Sequence, residues 1–314
     1  MVKTVVSVGL PVVENMSIRK NRLEPEKKAG NEKRFCLVTG VHGDELEGQY
    51  ICYSLIRKIN EQKDKLKGIV DVYPCVNPLG MESITRRVPT FDLDMNRTFP
   101  GNEEGDMTEY SAAKLTEDIL GADFCLDLHA SNIFLREAPQ VRLLKEDEEK
   151  LLEYAKLVNT EFIWIHSSPT VKEASLYYCL NGKGVPTISI EMGVGMRITK
   201  EYGDQIVDGI FCVLKKMGIW EGEVITPKVP VIASDVNDIA FLHAEAPGIF
   251  LPKVEHWDNI KKGSVIGEIV DSFTGEILES ITAPFDGTVF TLREFPVVYC
   301  GSLLARILKK TAEV

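Results

Sequence analysis

The sequence predicts an α/β fold with a doubly wound, mainly parallel sheet over residues 1–222 and an all-β unit over residues 223–314. Short apolar runs alternate with helix-period segments through the first two thirds of the chain, as in parallel sheets with crossover helices. Gly222, Pro227 and Pro230 then mark a boundary. After this boundary, closely spaced short strands and turns replace the alternation.

The predicted strands are short apolar runs, rich in β-branched and aromatic residues. They cover residues 3–13, 35–41, 69–77, 122–129, 161–165 and 185–191. The predicted helices, with apolar residues three and four apart, cover residues 45–60, 108–120, 144–159 and 200–217. The charged segment 19–33 is predicted to be a connection. Residues 81–106 form a long polar loop, a feature that is usually functional or disordered inside a compact domain.

Two stretches of the C-terminal part look like diverged copies of each other. One begins at Ala246-Pro247-Gly248 and the other at Ala283-Pro284, and each has a glycine at a similar distance downstream. This pattern resembles the small β barrel of lipoyl- and biotinyl-type domains. Such carriers present a lysine on the hairpin between the two halves, whereas here residues 271–276 read Asp-Ser-Phe-Thr-Gly-Glu. We therefore expect a structural role or a lid.

Composition excludes several classes of function. A hydrophobic content of 44% and a charged content of 26% are typical of a soluble globular protein. The net charge of −11 disfavours nucleic-acid binding and requires local arginines for any anionic substrate. No apolar run approaches the roughly 18 residues of a membrane span, and the N-terminus lacks the pattern of a signal peptide. With seven cysteines and no Cys-x-x-Cys pair, a cytoplasmic protein with reduced thiols is expected.

Four polar fragments follow predicted strands or lie in the long loop. They are His42-Gly-Asp-Glu45, Arg86-Arg87 with Asp94-Met-Asn96-Arg97, Asp127-Leu-His129, and Glu191. In a doubly wound sheet the C-terminal ends of the strands face one crevice. Two histidines and one glutamate leave a fourth position of a zinc ion open, which is the catalytic arrangement. Hydrolysis also needs a carboxylate that moves protons, and Glu191 is the candidate.

In combination, these fragments resemble the succinylglutamate desuccinylase/aspartoacylase family of the zinc-carboxypeptidase superfamily. The resemblance covers most of residues 35–193 and rests on His-Gly-x-Glu, Asn-Pro-x-Gly, Asp-x-Asn-Arg-x-Phe-Pro-Gly, Asp-Leu-His and a strand ending in glutamate. It implies a zinc-carboxypeptidase-like topology and a C-terminal β unit. The roles that it implies are one zinc ion held by His42, Glu45 and His129, a general base at Glu191, a carboxylate held by Asn96 and Arg97, and an oxyanion stabilised by Arg86 or Arg87. Arg86 is favoured over Arg87 because it lies three residues before Pro89.

Simpler interpretations remain for single residues. Asp127 is either an outer partner of a metal ligand or a solvated turn acid, with neither favoured. Asn96 and Arg97 could serve loop hydrogen bonding alone. Arg142 either lines the site or is a surface charge, and the surface charge is favoured. The remaining histidines carry no paired ligand spacing and are expected to be structural or exposed: His166, His243 and His256.

The predicted function is zinc-dependent hydrolysis of the amide of a small N-acyl amino acid or a related carboxylate-bearing compound. The alternative enzyme is a metallocarboxypeptidase acting on a short or cell-wall peptide. A rival from another class is a metal-binding or regulatory protein without activity, which would need neither Glu191 nor Arg97. The expected partner is a small N-acylated substrate, a homo-oligomer is left open beside a monomer, and neither nucleic acid nor membrane is expected.

Overall fold

In the computed structural model, which describes residues 1–12, 14–166, 174–233 and 238–310, a mixed sheet of 13 strands forms the centre of the molecule. Its strands in the N-terminal two thirds and at the start of the C-terminal part are β1 (Val2–Gly9), β2 (Asn15–Leu23), β3 (Arg34–Thr39), β4 (Ile69–Tyr73), β5 (Phe124–Ala130), β6 (Leu135–Leu144), β7 (Phe162–His166), β8 (Thr187–Gly193) and β9 (Val231–Ala233). The later strands, of which β11, β13, β14 and β16 belong to a separate sheet, are β10 (Ile239–His243), β11 (Gly248–Pro252), β12 (Asn259–Ile260), β13 (Val265–Val270), β14 (Ile277–Thr282), β15 (Gly287–Arg293), β16 (Val297–Val298) and β17 (Leu303–Lys309).

The helices cover both faces of this sheet. They are α1 (Glu47–Glu61), α2 (Pro78–Ser83), α3 (Met107–Ile119), α4 (Glu148–Ala155), α5 (Leu176–Gly182) and α6 (Lys200–Met217). Alternate residues of β3 enter two separate cores, with Phe35 and Leu37 in one and Cys36 and Val38 in the other. Strands buried on both faces read as continuous apolar runs, which is why the parallel centre of the sheet could be predicted. None of the helices described here is long and apolar enough to cross a membrane.

The fold is therefore mixed α/β, with parallel strands in the order β4-β3-β5-β8 at the centre of the large sheet. The outer parts of the same sheet contain antiparallel pairs, which the prediction of a mainly parallel sheet did not specify. A separate sheet of four antiparallel strands in the C-terminal part has the order β14-β13-β11-β16. The boundary between residues 222 and 223 stays a prediction.

The prediction of a connection over residues 19–33 is wrong at its start, because β2 runs through Leu23 and pairs with both β1 and β4. The charged residues of β2 interrupt the apolar pattern by which strands were predicted, so this strand was not recognised. Lys20 is buried, and its Nζ donates to Asp71 at 3.2 Å, so a charged side chain occupies a core position. The first predicted strand was also too long: β1 ends at Gly9, and residue 13 lies outside the described residues.

A second correction concerns the region after His129, where β6 was not predicted. This strand pairs antiparallel with β8, parallel with β7 and antiparallel with β15 of the C-terminal part. The two polypeptide regions therefore share one sheet. The helix predicted over residues 144–159 is also shorter in the structure, where α4 covers only Glu148–Ala155.

Candidate active site

The turn between β3 and α1 carries two of the predicted site residues, His42 and Glu45. Gly40 adopts a φ of 68°, a left-handed conformation that favours glycine. A Cβ on Gly43 would lie 2.0 Å from the carbonyl carbon of Gly80, so this turn packs directly on the backbone of α2. The side chain of Asn77 caps α2 by accepting a hydrogen bond from the Gly80 nitrogen at 3.0 Å. The turn that contains Gly43 and the start of α2 that contains Gly80 therefore pack closely against each other, and this packing fixes the position of His42.

The carboxylate of Glu45 lies between two imidazole rings. Its Oε1 is 2.6 Å from Nδ1 of His42, and its Oε2 is 3.0 Å from Nδ1 of His129. One ligand atom from each of the three residues lies within 4.8 Å of the other two, and all three residues are buried. Burial alone would raise the pKa of Glu45, but the adjacent His42 and His129 hold that pKa well below its ordinary range. Two imidazole nitrogens and a carboxylate are a donor set suited to zinc, so these residues fit a metal ion.

Each histidine faces a second carboxylate through its other ring nitrogen. Asp94 Oδ1 lies 3.2 Å from Nε2 of His42, and Asp127 Oδ1 lies 3.1 Å from Nε2 of His129. Such outer carboxylates fix the tautomer and the orientation of a ligating imidazole. Asp127 is buried, so its interpretation as a solvated turn acid is wrong. Asp94 was not singled out from the sequence as a partner of His42.

The two adjacent arginines of the long loop have different surroundings. Arg86 lines the cleft, and its Nη1 donates to Glu45 Oε1 at 3.0 Å. Its Nη2 lies 3.7 Å from Asp94 Oδ2. Arg87 is half exposed, donates to Asp92 Oδ2 at 3.0 Å, and is absent from the described lining of the cleft. Of the two arginines considered as stabilisers of the oxyanion, Arg86 contacts the metal-ligand group and Arg87 does not.

Asn96 and Arg97 lie on a 3-10 turn, Met95–Arg97, that Asp94 caps by accepting from the Asn96 nitrogen at 2.9 Å. The side-chain oxygen of Asn96 accepts from the Leu176 nitrogen at 3.0 Å, so this residue also has a structural role. Arg97 Nη1 donates to the backbone oxygen of Asn96 at 2.8 Å. No carboxylate of a described residue forms an ion pair with the Arg97 guanidinium, which leaves it available for an anionic group.

Glu191 lies on β8 directly opposite His129 of β5. Strand β8 continues to Gly193, two residues beyond the predicted end. The Glu191 Oε1 accepts from Arg142 Nη1 at 3.1 Å. Burial raises the pKa of Glu191, and the charge of Arg142 opposes that rise. A raised pKa makes a carboxylate a stronger base near neutral pH.

These residues surround a cleft of about 540 Å³. Its lining includes His42, Glu45, Arg86, Asn96, Arg97, Asp127, His129, Ala130, Ser131, Asn132, Phe134, Leu135, Glu137, Arg142, Ser175, Tyr177, Ser189, Glu191 and Arg306. The expectation that Arg142 is a surface charge is wrong, because its guanidinium lines the cleft between Glu137 and Glu191.

Sequence reasoning also missed Glu137 and Arg306 as cleft residues. One signal could have found Arg142 and Arg306, namely a single arginine inside an apolar strand pattern. Among the other histidines, His256 is structural, since its Nε2 lies 3.0 Å from the Phe290 carbonyl oxygen, and His243 is exposed.

Comparisons with known proteins agree on one family. Residues 31–217 match the model of the succinylglutamate desuccinylase/aspartoacylase catalytic domain. The chain is 28% identical over 288 residues to the N-alpha-acetyl-L-2,4-diaminobutyric acid deacetylase of Halomonas elongata, covering 89% of this chain and 83% of that protein.

Two solved structures share the fold. The product-bound ectoine utilization protein EutE (DoeB) of Ruegeria pomeroyi has a TM-score of 0.84 at 19% identity, covering 98% of this chain and 95% of that one. A succinylglutamate desuccinylase/aspartoacylase of Rhodobacter sphaeroides has a TM-score of 0.79 at 22% identity, covering 96% and 90%.

Proposed function

This chain belongs to the succinylglutamate desuccinylase/aspartoacylase family, and from this membership we propose that it is a zinc-dependent hydrolase that cleaves the amide bond of a small N-acyl amino acid. The observation that carries the proposal is the convergence of His42, Glu45 and His129 in one cleft that Glu191 and Arg97 also line. The proposal includes a zinc-carboxypeptidase-like topology and a catalytic unit that ends near residue 222.

His42, Glu45 and His129 would hold the zinc ion, with Asp94 and Asp127 orienting the two imidazoles from their far sides. A bound zinc ion supplies Lewis acidity, which polarises a carbonyl and makes water more acidic. The remaining steps belong to the side chains of the chain itself. Their charges already lie within the cleft, so they need no large reorganisation as the reaction proceeds.

Glu191 is the proposed proton carrier. Its carboxylate would accept a proton from the attacking water and pass it to the nitrogen of the leaving amine, so that an amine and a carboxylic acid are released. Burial raises the pKa of Glu191, which favours both the uptake of that proton and its brief retention. Its position opposite His129 on the adjacent strand places it beside the ligand group.

Arg86 is the proposed stabiliser of the negative charge that develops on the former carbonyl oxygen. Its guanidinium already donates to Glu45, so it lies beside the ligand group rather than in solvent. A positioned donor of this kind stabilises the transition state more than the ground state. Arg87 is excluded from this role in the proposal because its guanidinium pairs with Asp92 outside the cleft.

Arg97 is the proposed anchor for the substrate carboxylate. A planar guanidinium can bind a carboxylate through two parallel hydrogen bonds. The side-chain oxygen of Asn96 is already used by the Leu176 nitrogen, so any contribution from Asn96 to this carboxylate would come from its Nδ2. A substrate with one free carboxylate next to a hydrolysable amide fits this arrangement, and N-acyl amino acids have both groups.

The experiment that tests the proposal combines metal analysis with a substrate screen. The purified protein should contain about one zinc ion per chain and should lose turnover when a chelator removes it. Substrates should include N-acetyl-L-2,4-diaminobutyrate, which the name of the Halomonas elongata relative suggests, together with N-acetyl and N-succinyl derivatives of acidic, basic and neutral amino acids. Blocked dipeptides serve as the comparison. Faster cleavage of blocked dipeptides would favour a metallocarboxypeptidase, and turnover unaffected by the chelator would overturn the metal-dependent reading.

A further inference from the structure

Four charged side chains form a continuous series along one wall of the cleft, and we name Arg306, Glu137, Arg142 and Glu191 the charge quartet. Arg306 Nη1 donates to Glu137 Oε1, and Arg142 Nη2 donates to Glu137 Oε2 at 2.8 Å. Arg142 Nη1 then donates to Glu191 Oε1 at 3.1 Å. Two arginines therefore alternate with two glutamates, and the charges balance within the series.

The quartet joins distant parts of the chain. Glu137 and Arg142 lie on β6, Glu191 on β8 and Arg306 on β17 of the C-terminal part. Residues five apart on a regular strand point to opposite faces of the sheet. The pairing of β6 with β8 shifts between Glu137 and Gln140, and such an irregularity re-aims a side chain, so Glu137 and Arg142 meet on one face. The irregularity in β6 thus has a specific effect: it brings Glu137 to Arg142.

An aromatic ring fixes the two arginines in the quartet. The Cζ atoms of Arg142 and Arg306 each lie 5.6 Å from the centre of the Trp164 ring. Arg306 Cζ also lies 5.5 Å from the Phe241 ring. A guanidinium near an aromatic face gains attraction from the ring, and this attraction grows when both groups are out of water. Trp164 is buried, so it is a rigid support for both cations.

Burial makes the quartet sensitive to the loss of any member. The side chain of Glu137 is only 3% exposed, and both of its oxygens are committed to arginines. A buried carboxylate that loses one of two cations is left partly uncompensated, which is unfavourable. Without Arg306, the remaining cation, Arg142, would be drawn fully to Glu137 and away from Glu191.

We propose that Arg306 is a positioning residue for Glu191 and acts through Glu137 and Arg142. The inference rests on the proposed function, because it takes Glu191 as the general base. It assigns the C-terminal β unit a direct part in the active site: that unit sets where the carboxylate of the base lies. Arg306 does not reach the metal-ligand group in this assignment.

The kinetic test uses Arg306→Met, Arg306→Lys and the control Lys309→Met, in which an exposed lysine of the same strand is replaced. With N-acetyl-L-2,4-diaminobutyrate as the probe, we expect Arg306→Met to lower kcat about 10- to 100-fold, as a misplacement of about 1 Å can. KM and the zinc content should stay near the wild-type values, because neither Arg97 nor the ligand group is altered. Arg306→Lys should recover part of kcat, and Lys309→Met should resemble the wild type. A wild-type kcat in Arg306→Met would overturn the inference. So would a lower kcat accompanied by an equally large rise in KM and fall in zinc content, because such a change would mean general damage to the site.

A structural test separates this inference from the proposed function. In crystals of Arg306→Met with zinc bound, the Glu191 carboxylate should have lost its contact with Arg142, whereas in Lys309→Met it should keep that contact. If Glu191 keeps its contact with Arg142 in Arg306→Met, the inference is wrong, whichever substrate the enzyme uses. If the wild type hydrolyses none of the screened amides while Glu191 moves as expected, the proposed function fails and the positioning role stands. If Arg306→Met does not fold, Glu137→Gln replaces it with the same expected loss of kcat, and a wild-type kcat in that variant overturns the inference.

Discussion

The carboxylate of Asp94 lies 3.2 Å from Nε2 of His42, on the side of the ring opposite to the nitrogen that faces Glu45. The same oxygen accepts a hydrogen bond from the backbone nitrogen of Asn96. One side chain therefore orients a predicted metal ligand and caps the turn that carries the predicted carboxylate anchor. The metal site and the substrate site are joined through this residue.

We expect Asp94→Asn to weaken zinc binding about 10- to 100-fold, the usual cost of losing an outer carboxylate partner of a ligating histidine. An amide can still accept from Asn96, so the turn should persist while His42 loses a charged partner. Competition with a chromophoric chelator measures the zinc affinity without any need for turnover. Asp92→Asn provides the matched control, since Asp92 pairs with Arg87 outside the cleft. Equal zinc affinity in Asp94→Asn and the wild type would contradict the outer-ligand role.

Replacing each of the two adjacent arginines separates their roles. Arg86→Met should lower kcat about 10²- to 10³-fold, the loss typical of removing one oxyanion donor. Arg87→Met should leave kcat and KM unchanged, because the Arg87 side chain is half exposed and its guanidinium donates to the side chain and the backbone oxygen of Asp92, outside the cleft. Steady-state kinetics on the best substrate of the screen makes the comparison. The reverse ranking of the two variants would assign the oxyanion to Arg87.

Arg97→Met should reduce kcat/KM for an N-acyl amino acid about 10- to 100-fold. The estimate follows from a charge-assisted hydrogen bond worth about 1.5–3 kcal/mol, with a tenfold change for each 1.4 kcal/mol. The same variant should show a much smaller loss on the corresponding N-acyl amino acid amide, which has no carboxylate to bind. Arg57→Met, on the exposed face of α1, is the control. A uniform loss on both substrates would mean that Arg97 does not bind the carboxylate.

Asp71 should contribute to the acid sensitivity of the fold. It accepts from Arg22 at 2.7 Å and from Arg34 at 3.0 Å, and it pairs with Lys20. Burial alone would raise the pKa of Asp71, but the hydrogen bond from Arg22 and the charges of its three partners hold that pKa below its ordinary value. A carboxyl with a lowered folded-state pKa stabilises the fold above its unfolded pKa, and the stabilisation is lost as the pH falls through the folded-state value.

We therefore expect Asp71→Asn to lower the free energy of unfolding at neutral pH by about 3–5 kcal/mol, since buried cations lose their anion. The difference between this variant and the wild type should shrink as the pH falls below about 4. Urea denaturation at several pH values measures it. Glu61→Gln, in an exposed pair with Arg57, should change the free energy by less than about 1 kcal/mol. A difference that does not depend on pH would exclude the charge of Asp71 as the cause.

Local motifs made the metal-ligand group predictable. His42 and Glu45 are three residues apart on one turn, and His129 ends an apolar run, so residue type and strand end together point to the site. A lone arginine in an apolar strand pattern could have marked Arg142 and Arg306, but the pairing within the charge quartet could not be predicted in this way. Arg306 meets Glu137 across 169 residues of sequence, and whether a lone arginine is buried depends on which carboxylate the fold brings to it.

Strand β2 was not predicted for the same physical reason, namely that its buried charge is paired with residues distant in sequence. Its Lys20 is tolerated in the interior because two carboxylates distant in sequence neutralise it: Asp71 at 3.2 Å and Asp118 at 2.6 Å. Binary patterning assumes that charged residues face water, and it fails where the ion pair forms across strands. The parallel centre, in contrast, uses apolar residues on both faces, and its strands could be predicted from composition alone.

One edge of strand β6 pairs with β8, and its other edge pairs with β15 over residues 135–137 and with β7 over residues 140–144, so a strand from the C-terminal part continues the large sheet beside the cleft. Loss of β15 would leave residues 135–137 of this edge unpaired next to the cleft, and an unpaired stretch of strand edge is an aggregation hazard. We therefore expect the two regions to melt together: calorimetry should record a single endotherm whose van't Hoff and calorimetric enthalpies agree. Two resolved endotherms would show that the C-terminal part is an independent folding unit.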